Sequence, residues 1–225
     1  MENNKGKIIV IEGLDGSGKN TQARLLTEAL AEKYDIQRLS YPDYESQSPA
    51  LVKMYLGGEL GDDPMAVNAY AASSFYAVDR IASYLKHWKA DFENGTNFVF
   101  DRYTTSNAVY MLSKLESDEE KNDFLTWLED FEFNKMGLPK PDKVIYLDMP
   151  TEISQRLMSK RYEGDESKKD LHEKNVGFLS LCRKNALYAA EKSGWTVIQC
   201  SDGENPYSIE EIAEKVLSEA LKAFE

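Results

Sequence analysis

The run "EGLDGSGKNTQ", residues 12–22, carries the residue types that hold a chain of phosphates. Its glycines let the backbone curl until successive N–H groups converge on anionic oxygens, and a helix starting there aims roughly half a positive charge at the same point. Lys19 would lie against the β- and γ-phosphates of a nucleoside triphosphate as a point charge. Gly13 through Lys19 satisfy the spacing G-x-x-x-x-G-K, yet Asn20 stands where a Ser or Thr hydroxyl normally meets magnesium. An amide oxygen is a hard, neutral donor that magnesium accepts, directly or through a retained water, although it projects farther than a hydroxyl. Thr21 is no substitute, being about 100° further round the helix. The other protein ligand expected is Asp101, at the end of "NFVFD", because an acid at a neighbouring strand end helps hold magnesium in phosphate-loop enzymes. Two plainer readings stand beside these: a glycine-rich turn without a ligand, and an Asp that only closes a turn.

Such residues need a scaffold that brings two strand ends to one helix start. Short apolar, β-branched runs do alternate with helical stretches. "KIIVIE" (7–12), "IQRLSY" (36–41), "NFVFD" (97–101), "KVIYLD" (143–148) and "WTVIQC" (195–200) predict buried strands of a parallel sheet. "NTQARLLTEALAEKY" has a helical apolar rhythm, and "PMAVNAYAASSFYAVDRIASYLKHW" (64–88) predicts one long helix with Pro64 close to its start. "SIEEIAEKVLSEALKAF" predicts a closing amphipathic helix capped by Ser208. The alternation implies an α/β, doubly wound fold with ligands at the carboxyl ends of the strands. No repeat or Gly/Ser linker interrupts residues 1–225, so a single domain is expected. The polar stretch "SKRYEGDESKKD" (159–170) has no periodic apolar face and reads as a surface loop or a lid.

Composition narrows the classes. A chain of 225 residues, 42% hydrophobic and 29% charged, suits one globular α/β domain. No apolar run approaches the ~18 residues of a membrane span, and "MENNKGKIIVIEG" enters a strand without a signal-peptide core, so a cytoplasmic location is expected. A net charge of −12 disfavours nucleic-acid polymers. Cys182 and Cys200 lack metal or disulfide spacing and read as buried free thiols, and His87 and His172 form no ligand pair with them. The acids of "ESDEEKND" (116–123) read as a solvated surface.

In order and spacing, "EGLDGSGK", "DRYTTSNAVY" (101–110) and "LPKPDKVIYLD" (138–148) resemble the thymidylate kinases nearly end to end. The resemblance implies a three-layer fold of the P-loop nucleoside triphosphate hydrolase type, with a five-stranded parallel sheet in the order 2-3-1-4-5. It also implies transfer of the γ-phosphoryl of ATP to dTMP with Mg2+, by a homodimer. The ATP side would then comprise Gly13, Leu14, Asp15, Gly16, Ser17, Gly18, Lys19, Asn20 and Thr21, with Arg156 towards the adenine. On the dTMP side, Asp15 would accept from the deoxyribose 3′-hydroxyl and Arg102 would clamp the phosphate. In "FYAVDR", Arg80 would hydrogen-bond the thymine on which Tyr76 stacks; Asn107 would contact the base and Tyr110 would pack beneath C2′. Periodicity alone assigns Tyr76 to a packed stripe and Arg80 to a solvated face.

Two departures from the family pattern bear on charge. In "SYPDYESQS", Asp43 and Tyr44 stand where many relatives have an arginine; Tyr44 would offer its hydroxyl to the acceptor phosphate, while an inward Asp43 would repel it. Gly16 and Ser17 stand where some relatives carry an arginine in the loop, whereas another subtype supplies arginines from the lid. "RLMSKRYEGDESKKD" offers Arg156 and Arg161, with Lys160, Lys168 and Lys169, so the resemblance turns 159–170 into a mobile lid with Arg161 at the transferring group. Lys19, Arg102, Arg161 and Asp15 are the expected catalytic residues, and no general base is needed because a phosphate oxygen is already anionic. Asp170 and Glu173 match acidic positions after the lid. Another nucleoside or nucleotide kinase on this scaffold, or a paralogue that binds without transferring, stays open. A GTPase switch is disfavoured, since "PKPD" (139–142) has proline where a guanine-reading tetrad needs a side-chain donor or acceptor.

Overall fold

Five parallel strands, β1 Ile8–Gly13, β2 Ile36–Ser40, β3 Asn97–Asp101, β4 Lys143–Asp148 and β5 Thr196–Gln199, pair in the order β2-β3-β1-β4-β5. They belong to a computed structural model that describes residues 5–161, 172 and 175–225. The helices are α1 Lys19–Leu30, α2 Ala50–Leu56, α3 Ala69–Ser83, α4 Lys89–Glu93, α5 Thr105–Met111, α6 Asp118–Glu129, α7 Thr151–Arg161, α8 Val176–Ser193 and α9 Ile209–Leu221. They cover both faces of the sheet, which is why strands such as "IIVIEG" read as unbroken apolar runs. Within β1 the faces still divide by alternation. Ile9 and Ile11 pack with Ala23, Leu26 and Leu30 of α1 and Ile212 and Val216 of α9, whereas Ile8 and Val10 pack with Trp88, Phe98 and Phe100.

The predicted helix over 64–88 differs at both ends. It begins at Ala69, where the Asn68 side chain accepts from Ala71 N at 2.8 Å. Such a cap is worth about 1 kcal/mol; Pro64 lies upstream in a turn whose carbonyl is taken by Lys114 Nζ. Beyond Ser83 the helix widens into a π turn, Tyr84–Trp88, before continuing as α4. The widening accompanies burial of Trp88, whose indole N–H donates to Tyr41 Oη at 2.9 Å.

Two helix starts bear on the site. Helix α1 begins directly after Gly18, which is left-handed at φ 88°. Helix α9 opens with a capping box between Ser208 and Glu211, as the sequence predicts at Ser208. Gln22 Nε2 donates to Ile209 O at 3.0 Å, tying the two helices together. Among the described residues, no helix is long and apolar enough to cross a membrane.

Candidate active site

The ends of β1 and β3, the start of α1, and helices α3 and α5 enclose a cleft of about 890 Å³, a volume typical of small-molecule sites. At one end is the glycine-rich turn. Gly16 has φ 80°, and a Cβ there would lie 2.6 Å from the Ser154 carbonyl oxygen. Helix α7 therefore leaves no room for a side chain at position 16, which is the physical reason an arginine cannot stand there. Lys19 is buried; its Nζ donates to Leu14 O at 2.8 Å and lies 3.6 Å from Asp15 Oδ1. Burial lowers its pKa, and the Arg102 charge lowers it further.

Arg102 leaves β3 in the left-handed region, at φ 69°, with its N–H on Ile11 O at 3.1 Å. For a residue with a Cβ that conformation costs about 1–2 kcal/mol. It brings the guanidinium into the cleft, where Nη2 pairs with Asp15 Oδ1 and donates to Tyr110 Oη at 3.1 Å. Tyr110 Oη in turn donates to Asp15 Oδ2 at 2.8 Å, so three side chains close a ring. Burial alone would raise the Asp15 pKa, but Arg102 and Lys19 outweigh it and hold the carboxyl far below the usual range.

The left-handed turn is braced by a residue that sequence reasoning missed. Buried Glu12 Oε1 accepts from Thr105 Oγ1 and Ser106 Oγ, each at 2.7 Å, and from Tyr103 N at 3.2 Å. One carboxylate oxygen thus fixes both the residue after Arg102 and the start of α5. Burial raises the Glu12 pKa against the pull of Arg102. The signal available in the sequence was a lone acid inside an otherwise apolar strand.

At the opposite end, periodicity is overturned. Arg80 is 1% exposed rather than solvated. Its Nε donates to Glu132 Oε2 at 2.8 Å, Nη2 pairs with Glu132 Oε1, and Nη1 donates to Tyr103 O at 3.3 Å. Asn107 Nδ2 donates to the same Glu132 Oε1 at 3.0 Å and to Ser73 O at 3.3 Å. Tyr76 is half-buried against Tyr55, ring centroids 6.4 Å apart. His172, another residue the sequence did not single out for this site, stacks on Tyr110 at 5.3 Å, with Nε2 2.9 Å from Tyr55 Oη.

Most sequence-predicted site residues meet in this cleft: Asp15 to Thr21, Tyr44, Tyr76, Arg80, Asp101, Arg102, Asn107 and Tyr110 all line it. Gly13 and Leu14 are buried behind it, Leu14 within the core. Tyr44 lines the wall and Asp43 does not; the Asp43 N–H donates to Asp79 Oδ2 at 2.9 Å, which anchors that loop. Asn20 is exposed at the mouth, while Asp101 is buried and its Oδ1 has no hydrogen-bond partner among the described residues. Arg156 is exposed outside the wall and donates to Glu204 O, close in sequence to the lining residues Pro206 and Tyr207. The side chains of Lys160 and Arg161, and residues 162–171 and 173–174 with Lys168, Lys169, Asp170 and Glu173, lie outside the described residues, and with them most of the expected lid. Cys182 and Cys200 are both buried, as their sequence context suggested.

A sequence profile described as thymidylate kinase matches residues 11–215. The chain belongs to the thymidylate kinase family. It is 31% identical over 193 residues to the thymidylate kinase of Mycobacterium tuberculosis strain H37Rv, covering 84% of this chain and 87% of that one. Identity to the Caenorhabditis elegans thymidylate kinase is 24% over 229 residues, 92% of this chain and 97% of the relative. A solved thymidylate kinase from Candida albicans shares the fold, with TM-score 0.69 at 22% identity over 98% of this chain and 94% of that one. The protein is thus a kinase of this family. Its phosphate loop and its "DRYTTSNAVY" segment form adjoining edges of one cleft.

Proposed function

We propose that this enzyme transfers the γ-phosphoryl of ATP to dTMP, giving dTDP and ADP. The observation that carries the reading is a single cleft with a lysine-bearing phosphate loop at one end, an Arg80–Asn107 wall at the other and Arg102 between them. Residues 13–21 would hold the triphosphate, with Lys19 on its β- and γ-phosphates. The dTMP phosphate would take Arg102 from Asp15, and the 3′-hydroxyl would take the Asp15 oxygen released. Tyr76 would stack on the thymine, Tyr110 would pack beneath C2′, and the Tyr44 hydroxyl would reach the acceptor phosphate.

The base end carries a hydrogen-bonding polarity. Both Nδ2 hydrogens of Asn107 point at acceptors, Glu132 Oε1 and Ser73 O, which leaves Oδ1 as the group that accepts from a ligand. Arg80 spends three of its five N–H donors on Glu132 and Tyr103 O and keeps two. A pyrimidine with a 4-carbonyl and an N3 proton matches this pattern, and cytosine reverses it.

In the transfer step an acceptor phosphate oxygen attacks the γ-phosphorus and ADP leaves. Positioning and preorganised charge supply the catalysis. Lys19 and Arg102 would offset the charge of two phosphates brought together. Further positive charge would come from a lid at 159–170 within a single kinase domain, with Arg161 at the transferring group and Arg156 nearer the adenine. The crowding of Gly16 by Ser154 O supports a source outside the loop. Asn20 and Asp101 would hold Mg2+, a fit supported by the Asp101 Oδ1, which has no hydrogen-bond partner among the described residues. Bound with ATP, the ion would neutralise charge on the phosphates. We further propose a cytoplasmic homodimer, supported by the exposed apolar Val78 and Leu85 along one helical edge.

A coupled assay of ADP release with dTMP, dUMP, dCMP, dGMP and thymidine tests the function. The expected outcome is ADP release driven most strongly by dTMP. A rate no higher with dTMP than without any acceptor would end the proposal.

A further inference from the structure

We infer that Glu132 is a positioning residue that sets the polarity of the base-reading wall, and with it the preference for a pyrimidine bearing a 4-carbonyl and an N3 proton over cytosine. This deepens the dTMP reading above and rests on it. Glu132 belongs neither to the phosphate loop nor to the helices that carry Arg80 and Asn107. It comes from a π turn, Asp130–Lys135, that follows α6, and it is 0% exposed.

Three donors from two elements converge on its two oxygens: Arg80 Nε on Oε2, and Arg80 Nη2 with Asn107 Nδ2 on Oε1. A buried ion pair is a weak source of stability, since well-packed apolar residues in its place are often as stable or more so. What it supplies is orientation. A bidentate carboxylate fixes the plane of a guanidinium, so the two N–H groups left on Arg80 have one direction. The same oxygen decides which way Asn107 faces. Glu132 Oε1 and Ser73 O are both pure acceptors, so only the NH2 end of the amide can meet them. Reversing Asn107 would oppose oxygen to oxygen twice among residues no more than 1% exposed. Burial raises the Glu132 pKa and Arg80 pulls it back, while Glu132 raises the Arg80 pKa against burial. With both carboxylate oxygens already facing donors, Glu132 acts as an acceptor only.

A glutamine at this position relaxes the Glu132 half of that constraint, because its amide can donate to a reversed Asn107, and leaves Ser73 O as the one acceptor that opposes the reversal. The test compares wild type, Glu132→Gln and Glu132→Asp by calorimetric dissociation constants for dTMP, dUMP and dCMP, with kcat and the KM for ATP measured alongside. For Glu132→Gln we expect the preference for dTMP over dCMP to fall at least tenfold. The dTMP-to-dUMP ratio should hold within twofold, since those bases share the edge being read, and the KM for ATP should also hold within twofold. Glu132→Asp, which keeps an acceptor-only carboxylate, should recover part of the lost preference. A folded Glu132→Gln with an unchanged dTMP-to-dCMP ratio, or an equal loss for all three nucleotides, would overturn the inference while leaving the proposed function standing. If Glu132→Gln does not fold, Glu132→Asp decides alone: its preference should fall at least threefold, and an unchanged value would overturn the inference. A wild type that never turns over dTMP would sink the function itself.

Discussion

Arg80 and Arg102 line the same cleft, and each meets a carboxylate, but the two pairs are built differently. The Arg80 and Glu132 side chains are 2% and 0% exposed, and the carboxylate comes from a remote turn that takes the guanidinium on two nitrogens. The Arg102 and Asp15 side chains are 16% and 24% exposed, and Asp15 is itself part of the phosphate loop, holding Arg102 through one nitrogen. Asp15 has Lys19 and Tyr110 as further partners. The first pair is locked and can only present what is left over. The second is exchangeable, because an incoming phosphate can replace Asp15 without stranding a buried charge. Recognition of a flat, neutral base suits the first arrangement, and capture and release of an anion suits the second.

Substituting each arginine tests this division most directly. Arg80→Met strands a buried carboxylate and should lower unfolding stability by about 3–5 kcal/mol, read from urea denaturation. Arg102→Met should leave a folded protein, since Asp15 keeps Lys19, yet lower kcat about 10²–10³-fold as expected for loss of a transition-state charge partner. If both variants lost stability equally, the contrast between locked and exchangeable pairs would be wrong.

A smaller effect involves His172, which stacks on Tyr110 beside the exchangeable pair. Burial, helped by the Lys114 charge, pushes its pKa down to about 3. Above about pH 6.5 the residue is neutral in the folded and unfolded chain alike. Below that, the unfolded chain takes up a proton that the folded protein refuses, so stability falls with pH until about 3, near pH 5 by about 2 kcal/mol. His172→Phe should flatten this acid slope, and urea midpoints at pH 7 and pH 5 would show it; an unchanged slope would remove His172 as its source. The smallest expected change is Tyr110→Phe, which keeps the ring but opens the Asp15–Arg102–Tyr110 ring of hydrogen bonds. It should cost about 0.5–1.5 kcal/mol and raise the KM for dTMP severalfold with little change in that for ATP. A KM for ATP that rose equally would place the bridge at the donor end instead.

The sheet was legible because strands buried on both faces leave continuous apolar runs, and the phosphate loop because glycines and a lysine at fixed spacing have few other uses. The start of α3 was misread because Pro64 looks like a first-turn residue, while the local hydrogen bond at Asn68 decides the boundary. The burial of Arg80 was hidden for a different reason. Periodicity sees one helix at a time, and the residue that neutralises Arg80 lies 52 positions away, in "EDFEFNK", which reads as a polar helix end. Glu12 was hidden by its own neighbours, because a strand-end acid beside a phosphate loop draws no attention until Thr105 and Ser106 are seen to converge on it.

The Gln22 amide on the Ile209 carbonyl links the helix that follows the glycine-rich turn to α9, whose first residues also wall the cleft. A shift of α9 along its axis would therefore be felt first at the turn of residues 13–19, through one side-chain amide rather than through the sheet.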